Sequence, residues 1–248
     1  DPDIHILFAR AADIPEYVQD GAADVGITGL DLIMERGAKV ETLLDLKFGK
    51  ASLVLAVPED SDLQKAQDLE GKKIATEFPG ITSQYFERLG VNVEIIKVSG
   101  ACEMTPHVGI ADAIVDISSS GTTLLINHLK AIDTVFSSTV YMIANKESLK
   151  AKDKILDIKT ALESVLNAKQ RRYLMMNVPE ASLEAVKEVL PGMSGPTVMK
   201  VEPGKLSEES ILAVHAVVDA DLIFTIVNKL KKIGARDILV VPIERIMP

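Results

Sequence analysis

The chain has 248 residues, of which 47% are hydrophobic and 25% are charged, and its formal net charge is −9 at pH 7. This composition is typical of a folded protein of two or three domains and excludes a disordered chain. The acidic balance excludes a broad nucleic-acid-binding surface, which needs a basic stripe, whereas a small phosphorylated ligand needs only a few local donors.

The cysteine content and the length of the apolar runs predict the cellular compartment of the protein. Cys102 is the only cysteine, so no disulfide forms within the chain and a reducing, cytoplasmic compartment is expected. No apolar run reaches the roughly 18 residues of a membrane span, so we expect no membrane partner. A mean hydropathy of +0.20 fits either a large core or surface buried between subunits.

The first 145 residues alternate short β-rich runs with helical stretches. Strands are predicted at 4–8, 25–28, 51–57, 73–76, 93–98, 113–117 and 141–143. Helices are predicted at 14–20, 30–36, 82–89, 104–109 and 122–129. This alternation predicts an α/β fold of parallel βαβ units with ligand sites at the strand ends.

The segment before Gly71 predicts a junction between two lobes. Residues 59–70 are polar with helix-like spacing, and a new strand opens directly after Gly71. A stretch of this kind often joins the two α/β lobes of solute-binding folds. We therefore expect one lobe of residues 1–70 plus 141–165 and a second lobe of residues 71–140.

Residues 170–248 follow a different pattern. Strands are predicted at 173–178, 197–201, 211–218 and 237–243, and helices at 182–190 and 222–233. The second of these helices is apolar on one face, and Gly234 suits its C-cap. The order βαββαβ is that of a separate ferredoxin-like domain.

The most informative stretch is 111–124. An apolar strand ends in Asp116, and small residues then lead into a helix: Ser118, Ser119, Ser120, Gly121, Thr122 and Thr123. Such a turn offers backbone N–H and hydroxyl groups to a phosphate. Asp116 and Asp112 are candidates to hold a ribose, directly or through Mg²⁺. The alternative is that Ser120 or Thr122 only caps a helix while Asp116 is solvated.

Further candidates stand at other strand ends. Glu103 lies beside the proposed sugar site, or it only complements a helix dipole. Arg10 suits a pyrophosphate or triphosphate, and Asp31 approaches a nucleotide or caps a turn. Thr76 ends a strand that is expected to face Arg10 and Asp31 across the cleft. The sequence contains no GxxxxGK[ST] or GxGxxG motif and no paired histidine spacing.

The run 111–124 closely resembles the phosphoribosyl-pyrophosphate loop of ATP phosphoribosyltransferases, and segments 13–18, 24–31, 46–49 and 75–79 resemble the same family in the same order. The resemblance covers nearly the whole chain. It implies a two-lobed catalytic core like a type II periplasmic binding protein and, in the long form, a C-terminal ferredoxin-like regulatory domain that binds histidine. The family opens with a further strand and a basic turn, which are either missing from this sequence or truly absent.

The reaction that the resemblance implies is displacement of pyrophosphate from phosphoribosyl pyrophosphate by N1 of ATP, the first step of histidine biosynthesis, with Mg²⁺ on the diphosphate. Asp116 through Thr123 would hold the sugar and its 5′-phosphate, with Glu103 nearby. Arg10, Asp31 and Thr76 would line the nucleotide side. The resemblance also implies a homo-oligomer, from dimer to hexamer.

The inhibitory histidine site that the resemblance implies consists of residues in the C-terminal domain: Asn177, Met193, Ser194, Thr197 and Asp237. On pattern alone, the segment around Met193 and Thr197 is a simple Gly-Pro turn. Two other classes of function stay open at this point. One is a two-lobed small-molecule binding or sensor protein without catalysis, and the other is a purely regulatory protein that senses an amino acid.

Overall fold

The computed structural model describes residues 1–118, 121–190, 195–201 and 210–247. They form two compact units, Asp1–Lys159 and Thr160–Pro248. The strands are β1 (Val25–Gly29), β2 (Glu41–Asp45), β3 (Ala51–Pro58), β4 (Lys73–Thr76), β5 (Glu94–Lys97), β6 (Ala113–Ser118), β7 (Leu129–Ser138), β8 (Val140–Ala144), β9 (Arg171–Pro179), β10 (Thr197–Lys200), β11 (Ile211–Asp219) and β12 (Arg236–Pro242). The α-helices are α1 (Ile14–Gln19), α2 (Leu30–Arg36), α3 (Pro79–Leu89), α4 (Thr122–Ile126), α5 (Lys146–Ala151), α6 (Lys154–Lys169), α7 (Leu183–Val189) and α8 (Ile223–Ile233).

A three-stranded antiparallel sheet of order β1-β8-β2 forms the first lobe. Helices α1 and α2 cover it, and Val18, Ile33 and Ile143 are buried together between them. Gly26 permits this packing, because a Cβ at that position would lie 2.5 Å from Cγ2 of Ile14. The glycine in this part of the sequence is therefore required by the close approach of α1 to β1.

The second lobe contains a five-stranded sheet of order β5-β4-β6-β3-β7. Strand β4 is parallel to β5 and β6, while β3 is antiparallel to β6 and β7. Successive residues of β3 face opposite sides: Leu53 and Leu55 pack with the α3 side, and Val54 packs with the α4 side. Both faces of the sheet are covered, so residues 53–57 of β3 are all apolar instead of alternating with polar ones.

The junction between the lobes differs from the expectation at Gly71. Strand β3 precedes Gly71, yet it pairs only within the five-stranded sheet. The chain therefore passes between the lobes at residues 46–50 and again at Thr139, between β7 and β8. The sheet is also mixed instead of parallel, because β3 and the unpredicted β7 both run antiparallel to their neighbours.

Two predicted elements are not formed. Residues 4–8 carry no strand pairing, and Ile6, Leu7 and Phe8 are exposed. In place of the helix predicted at 104–109, a 3₁₀ segment at Cys102–Met104 is followed by turns at 105–109. Pro106 lacks the N–H that a helix needs, and Gly109 has a φ of +72°.

The second compact unit holds an antiparallel sheet of order β10-β11-β9-β12. Helices α7 and α8 pack on one face, where Leu174, Met176, Val214 and Leu230 are buried. The predicted order βαββαβ is confirmed, and with it the fold class of a two-lobed α/β core and a ferredoxin-like domain. In the described part of the chain, no helix is long and apolar enough to cross a membrane.

Candidate active site

Three loops meet at one edge of the five-stranded sheet. Strands β4, β5 and β6 are parallel, so their carboxyl ends lie side by side, which is where α/β sheets commonly bind ligands. These ends carry Glu77 after β4, Glu103 in the loop after β5, and Asp116 two residues before the end of β6. The site therefore combines an acidic cluster with the turn that follows Asp116.

Asp116 is half-buried, and its Oδ1 accepts a hydrogen bond of 2.7 Å from the backbone N–H of Ile117. Burial raises the pKa of the Asp116 carboxyl, and the negative charges of Glu103 and Glu77 raise it further. Glu103 and Glu77 are thus close enough to act on Asp116, and negative charge at this position would favour a ligand that carries positive charge or donates hydroxyl groups.

Cys102 is buried next to Glu103 in the 3₁₀ segment after β5. Burial is the main cause that raises the pKa of its thiol to about 12, and the charges of Asp116, Glu103 and Glu77 add to it. The thiol donates to the carbonyl of Ala75 at 3.3 Å. A buried, protonated thiol with this bond is a packing group and not a nucleophile.

The structure describes the two residues that flank the predicted phosphate turn, Ser118 and Gly121. The N–H of Gly121 donates to the hydroxyl of Ser118 at 3.1 Å, and Gly121 has a left-handed φ of +74° at the start of α4. Thr122 and Thr123 are exposed in the first turn of that helix. Ser119 and Ser120 lie outside the described residues, so their predicted contacts stay predictions.

Asp112 lies at the opposite end of β6 from Asp116, about 13 Å away along an extended strand. Its Oδ2 accepts from the N–H of Lys73 at 2.9 Å, and its Oδ1 lies 3.5 Å from Nζ of Lys72. It lines an open depression of about 650 Å³ on that side of the sheet. The structure therefore does not bring Asp112 to the proposed sugar site.

The three candidates on the nucleotide side differ in their surroundings. Arg10 is exposed, in a turn where the hydroxyl of Thr28 donates to the carbonyl of Ala11 at 2.8 Å. Asp31 is buried, and its Oδ1 accepts from the hydroxyl of Ser138 at 2.7 Å.

Thr76 is fully buried, and its hydroxyl oxygen accepts from the N–H of Phe78 at 2.9 Å. Of the three candidates, only Arg10 presents an exposed side chain, because those of Asp31 and Thr76 are engaged inside the protein.

Two carboxylates at this site had no assigned role in the sequence. Glu77 accepts a hydrogen bond from the backbone N–H of Gly100. Glu35 of α2 accepts from the N–H groups of Gly80 and Ile81 at 3.0 and 2.9 Å, at the first turn of α3. Neither contact has a local signal, because each joins residues more than 20 positions apart.

The histidine candidates are only partly brought together. The amide of Asn177 donates to Oδ2 of Asp237 at 2.9 Å, and both residues line a cavity of about 80 Å³. Thr197 lies on the edge strand β10, two strands away from Asn177 in the sheet order. Met193 and Ser194 lie outside the described residues.

Among the described residues, no group of three or more histidine, cysteine or acidic side chains is arranged to hold a metal ion. Asp116 and Glu103 do offer carboxylate oxygens, which are the ligands that Mg²⁺ prefers. Such a donor set fits an ion that arrives on a diphosphate and keeps most of its ligands from substrate and water.

The two lobes and the extra ferredoxin-like domain define a two-lobed α/β protein with a separate C-terminal domain. The ATP phosphoribosyltransferase family model matches residues 10–164, and that of the HisG C-terminal domain matches residues 168–245. The chain belongs to the ATP phosphoribosyltransferase family, in the long form with the C-terminal domain, and it is a transferase of histidine biosynthesis.

Individual relatives agree with this family. The ATP phosphoribosyltransferases of Methanosarcina barkeri and Methanocaldococcus jannaschii are 89% and 54% identical to the chain, and each comparison covers 100% of this chain and 86% of the relative. A solved structure of the ATP phosphoribosyl transferase (HisG:HisZ) complex from Thermotoga maritima matches with a TM-score of 0.58 and 30% identity. That match covers 64% of this chain and 78% of the other.

Proposed function

We propose that the carboxyl edge of the five-stranded sheet binds phosphoribosyl pyrophosphate and passes its phosphoribosyl group to N1 of ATP. The observation that carries this assignment is the half-buried carboxylate of Asp116 directly before the turn formed by Ser118 and Gly121. A carboxylate accepts hydrogen bonds from ribose hydroxyls, and the amides and hydroxyls of residues 118–123 suit the 5′-phosphate.

The reaction needs little acid–base chemistry. The lone pair of N1 forms a bond to the anomeric carbon, and the bond from that carbon to the diphosphate breaks, so pyrophosphate leaves with the electron pair. Positive charge builds up on the ribose as the bond to pyrophosphate stretches. The carboxylates of Asp116 and Glu103 favour that charge, so catalysis rests on positioning and electrostatics.

Arg10 is our candidate for the nucleotide phosphates, since an exposed guanidinium makes paired hydrogen bonds to phosphate oxygens. The bond from Thr28 to the neighbouring carbonyl of Ala11 supports a fixed position for its turn. For Asp31 and Thr76, the buried contacts favour a role in shaping the cleft over direct contact with the nucleotide.

Mg²⁺ is proposed to arrive on the diphosphate, and the carboxylates of Asp116 and Glu103 are the protein groups that would hold it. The ion would neutralise negative charge on the leaving pyrophosphate. A homo-oligomer and a cytoplasmic location also stay predictions.

Histidine is proposed to inhibit the enzyme through the C-terminal domain. Asp237 has a left-handed φ of +52°, and the register between β12 and β9 shifts between Arg236 and Leu239. A strained non-glycine residue at a bulge is often kept for its side chain. The pair of Asn177 and Asp237 offers the amide and carboxylate oxygens that an α-amino group or an imidazole N–H recognises.

Pyrophosphate release tests the catalytic assignment. The full-length protein with ATP, phosphoribosyl pyrophosphate and Mg²⁺ is expected to release pyrophosphate, and Asp116→Asn is expected to lower kcat by about 100-fold or more. Asp112→Asn is the matched control, because it changes an aspartate at the other end of the same strand, and its rate is expected to stay within about twofold. Equal losses in the two variants would contradict the assignment of Asp116.

A further inference from the structure

The loop that carries Glu103 has an unusual backbone. Gly100 and Ala101 both have left-handed φ values, of +84° and +49°, and the 3₁₀ segment with Glu103 begins immediately afterwards. Ala101 in this region is disfavoured by its Cβ. A loop of this conformation needs contacts from outside itself to persist.

Those contacts come from the end of β4. The N–H of Val98 donates to the carbonyl of Thr76 at 3.0 Å, and the thiol of Cys102 donates to the carbonyl of Ala75 at 3.3 Å. Between these two points, the carboxylate of Glu77 accepts from the N–H of Gly100. Of the three contacts, only that of Glu77 is made by an acceptor side chain that a substitution can remove.

We propose that Glu77 is a positioning residue for the phosphoribosyl transfer: its carboxylate holds the N–H of Gly100 and thereby fixes the loop that presents Glu103 to Asp116. The inference rests on the proposed roles of Glu103 and Asp116. Glu77 acts through the loop, so its contribution depends on the hydrogen bond it accepts and on the presence of Glu103.

A competing account is that Glu77 acts by its negative charge, since it lies near enough to influence Asp116. The two accounts separate in Glu77→Gln, because glutamine keeps a carbonyl oxygen that accepts from Gly100 but carries no charge. Positioning requires Glu77→Gln to retain most of the activity that Glu77→Ala loses.

The chain offers a matched control at the other end of the same strands. Glu70 accepts from the backbone N–H of Asn92 at 2.8 Å, which is the same kind of carboxylate-to-amide bond. It lies before β4 and β5 instead of after them. Glu70→Ala is therefore expected to cost similar stability without changing the rate.

The experiment is a double-mutant cycle in the full-length enzyme, with pyrophosphate release as readout. Glu77→Ala is expected to lower kcat about tenfold, and Glu77→Gln by less than about threefold. In the Glu103→Ala background, adding Glu77→Ala is expected to cause no further loss. A Glu77→Gln variant as slow as Glu77→Ala, or losses that multiply in the double variant, would overturn the proposal.

Amide hydrogen exchange provides a readout that does not depend on activity. Glu77→Ala is expected to speed exchange in residues 99–104, while Glu70→Ala leaves that segment unchanged. Unaltered exchange in Glu77→Ala would overturn the holding role even if the wild-type protein released no pyrophosphate. A wild-type protein without pyrophosphate release, combined with faster exchange in Glu77→Ala, would instead count against the proposed function.

Discussion

At the scale of single residues, the burial of Asp116 lowers the stability of the fold at neutral pH. Its pKa is raised mainly by burial, so the folded protein holds this proton over a pH interval in which the unfolded chain has lost it. Stability due to this group therefore falls as the pH rises through that interval and stays lower above it. A group that destabilises the fold at neutral pH is typical of a functional site.

We predict that Asp116→Asn raises the thermal unfolding midpoint near pH 7 while it removes activity. The gain is expected to vanish below about pH 4, where the unfolded carboxyl is protonated as well. The amide oxygen of asparagine keeps the bond from Ile117. The measurement is thermal unfolding of the wild-type protein and of Asp116→Asn between about pH 4 and pH 7.

Asp24→Asn is the control, because the pKa of Asp24 is shifted in the opposite direction to that of Asp116. The side chain of Lys152 and the hydroxyl of Ser148 lower the pKa of Asp24, so its stabilising contribution is present above the unfolded pKa and is lost as the pH falls through the folded one. Asp24→Asn is expected to lower the midpoint near pH 7 and to have no effect at low pH. If both variants shifted the midpoint in the same direction, burial at Asp116 would not be the cause.

Local patterns predicted only some of the residues that the structure brings together at the candidate site. Asp116 and the turn at Ser118 and Gly121 were predictable, because a strand end, small hydroxylic residues and a glycine stand next to one another. The pattern did not show that Asp112 and Asp116 stand apart, because four residues along an extended strand place the two side chains about 13 Å from each other. Glu77 was named in its strand-end segment, but its bond to Gly100 depends on which strands are neighbours.

At the scale of elements, the contact between α2 and α3 joins the two lobes. Both carboxylate oxygens of Glu35 accept from the first turn of α3, and a Cβ at Gly80 would lie 3.0 Å from the backbone oxygen of Glu35. The first amides of a helix have no partner within it, so an anion there is favoured. Glu35 thus acts as a cap supplied by the other lobe.

We predict that Glu35→Ala lowers the free energy of unfolding by about 1–2 kcal/mol, since it leaves two half-buried amides without their acceptor. Urea denaturation measures this. Glu87→Ala is the control, because that exposed glutamate lies on the same helix α3 and accepts a local hydrogen bond from the hydroxyl of Ser83, four residues earlier. Its effect is expected to stay within about 0.5 kcal/mol. Equal losses in the two variants would mean that the contact between the lobes adds nothing.

Hydrophobic periodicity predicted most elements close to their bounds, including the six of the C-terminal domain. It failed where tertiary context decides. Strand β7 pairs with β3 from 71 or more positions away and mixes exposed and buried residues, so no short pattern marks it. The junction near Gly71 was misplaced for the same reason, because membership of a sheet depends on partners and not on the run itself.

At the scale of the whole molecule, the catalytic candidates and the histidine candidates lie in different compact units. Asp116 and Glu103 belong to residues 1–159, while Asn177 and Asp237 belong to residues 160–248, which have their own core. Inhibition by histidine would therefore be a coupling free energy between separate sites, usually about 1–3 kcal/mol. Such coupling is reciprocal, so a substrate that histidine displaces must weaken histidine binding equally.

We predict that Asp237→Gly removes histidine inhibition at little cost to the fold. Glycine relieves the left-handed backbone strain, worth about 1 kcal/mol, and this offsets the lost bond from Asn177, worth about 1 kcal/mol. The half-inhibitory histidine concentration is expected to rise about tenfold or more, while the unfolding midpoint stays near that of the wild type.

The control is Asp219→Asn, which breaks the 2.9 Å ion pair with Arg171 at the far end of β11 and is expected to leave inhibition intact. Inhibition that persists in Asp237→Gly would move the histidine site away from this bulge, and its loss in both variants would mean that any disturbance of the sheet uncouples the domain.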